Sequence, residues 1–345
     1  MIDIAIRGGL VIDGTGAQRY QADVGILNDQ IVEIGRVSEA NREIDATGLI
    51  VSPGFVDPHS HSDFTMHVNP LAQSTVRQGV TTEIVGNCGF SSAPITPKSV
   101  KQIAGRLKGY GFEGDPAWRT MDEYFSHIEA DGVSANFAFF IGHNSLRHAA
   151  GLDGDETVTD EHLKIMSDLV AESMEAGALG LSTGLEFLPG KFAKTEEIEH
   201  LAKVVGKYGG VYTSHVRNRD SEIFSSMAEF LQIAKTGNVV AQLSHFNVRF
   251  DTNAPENAWE RAVGMLVAEK DKGLDVAADT TPFRFGLGGM SAILPEWLLK
   301  DGYANVALAL KESTVRDRLK SDCDRYWRYI HKGQWSRVRL QGSLH

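Results

Sequence analysis

A chain of 345 residues with 42% hydrophobic content is long enough for one large α/β barrel or two ordinary domains, and apolar enough to fill a sizeable core. With 34 Lys plus Arg against 45 Asp plus Glu, the formal net charge of -11 repels a polyphosphate backbone, which excludes nucleic acid as the expected partner. The start, MIDIAIRGGLVIDGTG, sets charges and glycines inside its apolar runs and no later stretch is apolar for long enough to span a bilayer, so no signal peptide or membrane span is read. Cys88 and Cys323 alone are too few for a disulfide framework, and the expected compartment is the reducing cytoplasm.

In chain order, residues 1–50 hold short alternating runs, IDIAIRGGLVID, ADVGILNDQIVEIG and EIDATGLIV, broken by turn formers, which predicts a small β-unit. From about residue 50 apolar strands alternate with amphipathic helices, the pattern of a parallel sheet wound by βα units over residues 51–282. The predicted strands are GLIVSPGFVD ending at His59 and His61, VTTEIVGN ending at Cys88, NFAFFIG ending at His143, ALGLSTG ending near Glu186, GVYTS ending at His215, NVVAQLS ending at His245 and LDVAA ending at Asp279. Helices are predicted from about Thr159 to Ala176, from an N-cap at Thr195 to a stop at Gly209, over about 221–236, and after Pro255. Residues 283–345 form a further segment with no clear strand.

His59 and His61 are two apart in an extended strand, so their imidazoles point the same way. In a (β/α)8 barrel the functional groups sit at the C-terminal ends of the strands, and here those ends carry His, His, Cys, His, His and Asp. HSH by itself is as easily chance, and a lone Cys88 as easily a small buried hydrophobe; their convergence on one barrel mouth favours a metal site. Histidine, thiolate and carboxylate suit zinc, as one ion or two bridged by the Cys88 thiolate, with His215 and His245 on one and His59 and His61 on the other.

The segments PGFVDPHSHSD, QGVTTEIVGNCG, GHNSLR, GLSTGLEFLPG, TSHVRN, QLSHFNV and LPEWLLKDG resemble the amidohydrolase superfamily, specifically the N-acyl-D-amino-acid deacylase (D-aminoacylase) group, over nearly the whole chain. The cysteine of NCG is the specific mark, since most of that superfamily bridges its metals with a carboxylated lysine and the strand GLSTGLEF has none. The resemblance implies a TIM-type (β/α)8 barrel of metal-dependent hydrolases beside a small N-terminal β-sandwich, of which residues 1–50 are half. It implies His59, His61, Cys88, His215 and His245 as zinc ligands, and hydrolysis of a small N-acyl-D-amino acid to a carboxylate and a D-amino acid. The alternatives are a cyclic-amide hydrolase of hydantoinase or dihydroorotase type, and an inactive metal-binding fragment.

This chain departs from the group's pattern at Asn247, where lysine is typical, and at Thr281, where DTTPF stands for DAYPY. Both positions are implied to line the substrate pocket. Arg217 either grips a substrate carboxylate by a bidentate pair or is a surface arginine, and His143 either touches substrate or is bonded within its own loop. The group's proton-carrying aspartate lies on an eighth strand after an insertion that residues 283–345 resemble. The expectation is therefore a barrel without its eighth strand, a catalytic aspartate beyond His345, a lid over the site, and self-association through unpaired edges. Asp279 is a candidate substitute for that aspartate. FGLGGM is read as a turn rather than a phosphate loop, and His67, His127, His148, His162 and His200 as solvent-facing.

Overall fold

The computed structural model describes residues 1–250, 253–283, 294–300, 302–326 and 336. They form two compact units, one of residues 1–56 with 78–81 and one of the remainder. In the first, β1 (Ile2–Val11) pairs antiparallel with β2 (Tyr20–Leu27), and β2 with β3 (Gln30–Gly35), while β4 (Ala40–Asp45) and β5 (Ile50–Val51) run parallel to β1. The predicted run ADVGILNDQIVEIG is thus two strands, because Asn28 takes a left-handed conformation (φ 55) and reverses the chain. Ile2, Ala5 and Val37 fill one small core, and Val11, Ala22 and Val24 another. Ile31 and Ile34 of β3 and Ile44 of β4 remain exposed, so this sheet presents an apolar surface that no described residue covers.

The sheet that carries the candidate residues has seven strands in the spatial order of the sequence: β6 (Phe55–Asp57), β7 (Val80–Val85), β8 (Asn136–Gly142), β9 (Gly180–Gly184), β10 (Val211–His215), β11 (Val240–Leu243) and β12 (Val276–Ala278). Pairing is parallel from β7 through β12, with register such as Ser214 opposite both Thr183 and Leu243. Every residue of β9 and nearly every residue of β10 is buried, as expected of parallel strands covered on both faces. Neighbours in sequence are neighbours in space throughout this sheet, which is a parallel half-barrel; no eighth strand lies among the described residues. The predicted run GLIVSPGFVD breaks into β5 and β6 because Pro53 and Gly54 stand between them.

The helices are α1 (Gln73–Val76), α2 (Val100–Gly109), α3 (Met121–Asp131), α4 (His143–Ala150), α5 (Asp160–Glu175), α6 (Thr195–Lys207), α7 (Ile223–Gly237) and α8 (Ala258–Asp271), followed by α9 (Glu296–Leu299), α10 (Tyr303–Ala309) and α11 (Ser313–Tyr326). Thr159 caps α5 by accepting from the His162 backbone N–H, while His162 accepts in turn from the Thr159 N–H. Thr195 is not a cap as predicted: it is already helical, and its hydroxyl donates to Glu229. Buried Met166, Val170, Ile198, Leu201, Tyr212 and Phe230 belong to one apolar core between these helices and the strands. Leu298, Leu299 and Val306 pack instead with Leu188, in the loop after β9. Among the described residues no helix is long and apolar enough to cross a membrane. The FGLGGM turn lies outside the described residues.

Candidate metal centre

Each candidate side chain stands where a strand of the parallel sheet ends and the chain must turn. His59 follows β6, where its N–H donates to Asp57 Oδ1 at 3.0 Å. Cys88 follows β7, His215 ends β10 and His245 follows β11. Cys88 Sγ lies 3.2 Å from His59 Nε2 and 3.3 Å from His245 Nε2. The ligand atoms of these three residues all fall within 4.8 Å of one another. A tetrahedral zinc ion holds a sulfur and a nitrogen about 3.6 Å apart, so both sulfur contacts are close to what an ion needs. The donor set fits the metal.

Electrostatics favours a thiolate at the centre. Burial opposes ionisation of Cys88, but the facing His245, then His215 and His59, outweigh it and hold the thiol well below its ordinary range. Burial also works against a charged His59, yet hydrogen bonds to Asp279 and Cys88 prevail and its pKa is pushed up to about 10. Burial and neighbouring His215 bring His245 down to about 4.

The ligands have supports. Asp279, at the end of β12, accepts from His59 Nδ1 at 3.3 Å, from Gln242 Nε2 at 2.6 Å and from the His245 backbone N–H at 2.6 Å. This ties two strand ends together through one carboxylate, a positioning duty that the sequence did not announce. His215 Nε2 bonds Glu186 Oε2 at 2.7 Å, and its other nitrogen, Nδ1, is buried with no hydrogen bond among the described residues. The ring lies 4.4 Å from that of His245, so the orphaned nitrogen belongs to the same locality. Glu186 is fixed by two bonds from Arg249, at 2.8 and 2.9 Å. Arg219 donates to His245 Nδ1 at 2.9 Å; since a guanidinium only donates, the His245 Nε2–H faces the Cys88 sulfur.

The other predicted residues are placed differently. His61 is exposed, edge-on to His59 with ring centroids 5.5 Å apart, and is not drawn into the three-residue group. Arg217, expected either to grip a substrate carboxylate or to be a surface arginine, is partly buried and engaged by the chain itself. It pairs with both oxygens of Glu229, at 3.0 and 2.9 Å, and donates to the Lys191 and Ala193 carbonyls. His143 is fully buried and bonds Glu197 at 2.8 Å, beside Arg147 on the same carboxylate. Asn247 donates to the His245 carbonyl and accepts from Arg219, bracing the turn after β11. Thr281 is exposed. Of the histidines expected to face solvent, His67 stacks on Trp118 and His148 bonds Asp153. Sequence reasoning gave no role to Glu186, Arg219, Arg249 or Gln242; the signal available was that each sits at, or just beyond, a strand end.

The fold and this site place the chain in a class. It belongs to the amidohydrolase family, which it matches over residues 42–292, and the resemblance read from the sequence is borne out at that level. Within the family it is similar to N-acyl-D-glutamate deacylase of Alcaligenes xylosoxydans xylosoxydans, 35% identical over 300 residues that make up 86% of this chain and 59% of that protein. It is also similar to D-aminoacylase of the same organism, 32% identical over 289 residues, 82% of this chain and 58% of that one. A crystal structure of N-acyl-D-glutamate deacylase from Bordetella bronchiseptica, complexed with zinc and a phosphonate mimic of the reaction's tetrahedral intermediate, matches with a TM-score of 0.75 at 32% identity, covering 82% of this chain and 59% of that one. The chain therefore spans about three-fifths of the length of the relatives it matches.

Proposed function

We propose that this chain carries the metal centre of a zinc-dependent amidohydrolase that cleaves the amide of N-acyl-D-amino acids. The observation that carries the reading is the Cys88 sulfur held at 3.2 and 3.3 Å between the Nε2 atoms of His59 and His245, at the C-terminal ends of parallel strands. His59, Cys88 and His245 would hold zinc, with His215 offering its unbonded Nδ1 and His61 standing beside His59. A zinc ion there supplies polarisation of the scissile carbonyl and acidification of water. Similarity to deacylases of N-acyl-D-amino acids supports the substrate class.

The chain's own residues prepare this chemistry. Asp279 accepts from His59 Nδ1–H, which would leave Nε2 as the ligand nitrogen; Glu186 accepts from His215 Nε2–H, which would leave Nδ1. To offer Nε2 to an ion, His245 would have to carry its proton on Nδ1, the nitrogen to which Arg219 donates, so that bond would have to be given up; this is a change of tautomer with no net release of a proton. The test is direct: the purified chain is loaded with zinc, dialysed, and assayed on N-acetyl-D-glutamate, N-acetyl-D-leucine, their L enantiomers and a hydantoin. Retained zinc, lost on Cys88→Ser, is expected, with any turnover falling on the D substrates. A dialysed chain without zinc, or one that opens only the hydantoin, sinks the reading.

A further inference from the structure

A second group of ligand atoms shares no residue with the first. His67, His127 and Asp131 offer two imidazole nitrogens and a carboxylate oxygen that all lie within 4.8 Å of one another. His127 and Asp131 are one turn apart on α3, with Nε2 and Oδ2 separated by 3.4 Å. His67 comes to them from the segment between β6 and β7, brought there by stacking: its ring lies 4.9 Å from Trp118, and Trp118 in turn lies 4.8 Å from His127. Trp118 is a fixed platform, 1% exposed and donating from Nε1 to the Ser92 carbonyl at 2.8 Å.

Stacking on Trp118 therefore places both imidazoles. The Nε2 atoms of His67 and His127 are buried, and neither makes a hydrogen bond among the described residues. Buried polar atoms nearly always find a partner; the His67 nitrogen has none among the described residues and the His127 nitrogen only the Asp131 oxygen at 3.4 Å, an arrangement that asks for an electrophile between them. Burial, reinforced by His127, brings His67 down to about 4, so its lone pair is free at neutral pH.

We propose that His67, His127 and Asp131 form a further cation site, for a late first-row divalent ion of the zinc or copper(II) kind, completed by water. Two imidazoles and a carboxylate suit such ions and give no reason to expect calcium or magnesium. Bonds of about 2.0 Å in a tetrahedron space the ligands about 3.3 Å apart, so the side chains close by at most about 1.5 Å. His127 and Asp131, with side chains 30% and 48% exposed, have room for that rotation and leave a path for the ion. An ion here ties the segment that follows His59 and His61 to α3.

The test uses the full chain, metal-depleted and titrated with cobalt(II), then copper(II), with bound metal counted after gel filtration. Asp131→Asn and His127→Gln are each expected to lose about one equivalent while keeping the cobalt–thiolate absorption of the Cys88 centre. Cys88→Ser is expected to lose that absorption and keep the other equivalent, and its copper(II) spectrum to show coupling to two nitrogens, reduced in Cys88→Ser/His127→Gln. Asp131→Asn preserves shape at an exposed position, so it stays readable should His127→Gln melt early. Wild-type metal counts in Asp131→Asn and His127→Gln overturn the proposal, whatever becomes of the Cys88 centre.

Discussion

Glu186→Gln separates the support of the site from its ligands. The Glu186 side chain is 1% exposed and meets His215, Arg249 and Arg219 at once. Burial works against its charge, but His215, then Arg249 and Arg219, hold the carboxyl well below the usual carboxylate range. The amide keeps the volume and removes the charge, so Arg249 loses its bidentate partner in a place water barely reaches. Breaking one side of a buried pair costs about 3–5 kcal/mol, against a total stability of about 5–15 kcal/mol for a typical domain. The His215 ring also loses its orienting acceptor, and such losses cost about 10- to 100-fold in metal affinity. Urea unfolding of the metal-free chain reads the first effect, and competition with a chelator for zinc reads the second. A variant that unfolds within about 1 kcal/mol of wild type and competes equally well for zinc would show that Glu186 supports neither fold nor site.

Three further substitutions probe other links. Cys88→Ser keeps size but replaces the thiolate with a weak ligand, and zinc retained after dialysis, measured by mass spectrometry, is expected to fall to a small fraction of wild type. Gly184→Ala places a methyl 2.0 Å from the Cys88 carbonyl oxygen, which is backbone and cannot rotate away; the Cys88 turn must shift, and a loss of about 1–3 kcal/mol in thermal melts is expected together with weakened zinc binding. Glu197 is 4% exposed and, despite burial, His143 and Arg147 hold its carboxyl below the usual value of 4.5. A depressed carboxylate contributes stability above its unfolded pKa and loses it as pH falls through the folded one. Glu197→Gln should therefore lower stability by about 3 kcal/mol at pH 7 and flatten the loss of stability below pH 4.5, and an acid limb as steep as that of wild type in urea titrations would refute the assignment.

What could be read from the sequence was local. GVYTS was legible as a strand of the parallel sheet from its place between two amphipathic helices, and it is β10, ending on His215. The helix predicted over Thr159 to Ala176 appears as α5 because its apolar spacing and its capping threonine agree. What escaped depended on distant partners. Arg217 looked free because Glu229, which occupies it, lies on the next helix and reaches back across the loop. Glu186 and Arg249 are 63 residues apart, and only the parallel register of β9, β10 and β11 brings their strand ends together. His67 was assigned to solvent because no pattern in the chain announces that Trp118 will lie under its ring.

The backbone gives a further argument for the centre. Among the described residues, seven that are not glycine have positive φ, and four of these are asparagine, which tolerates the region; the others are Ala72, Cys88 and His245. For such residues this costs about 1–2 kcal/mol each, and it persists only where the surroundings over-determine it. At His245 the surroundings are the Asp279 carboxylate on its own N–H and the Asp279 carbonyl on the N–H of Phe246, at 2.6 and 2.7 Å. At Cys88 they are the bonds of Gly89, whose N–H donates to Ser182 Oγ at 3.1 Å and whose carbonyl accepts from Asn144 at 2.7 Å. A cysteine and a histidine that merely filled a core would gain nothing from left-handed turns, because apolar packing has no direction to enforce. Ligands do have a direction, and here two separate strand ends accept strain that brings one sulfur and one nitrogen to 3.3 Å.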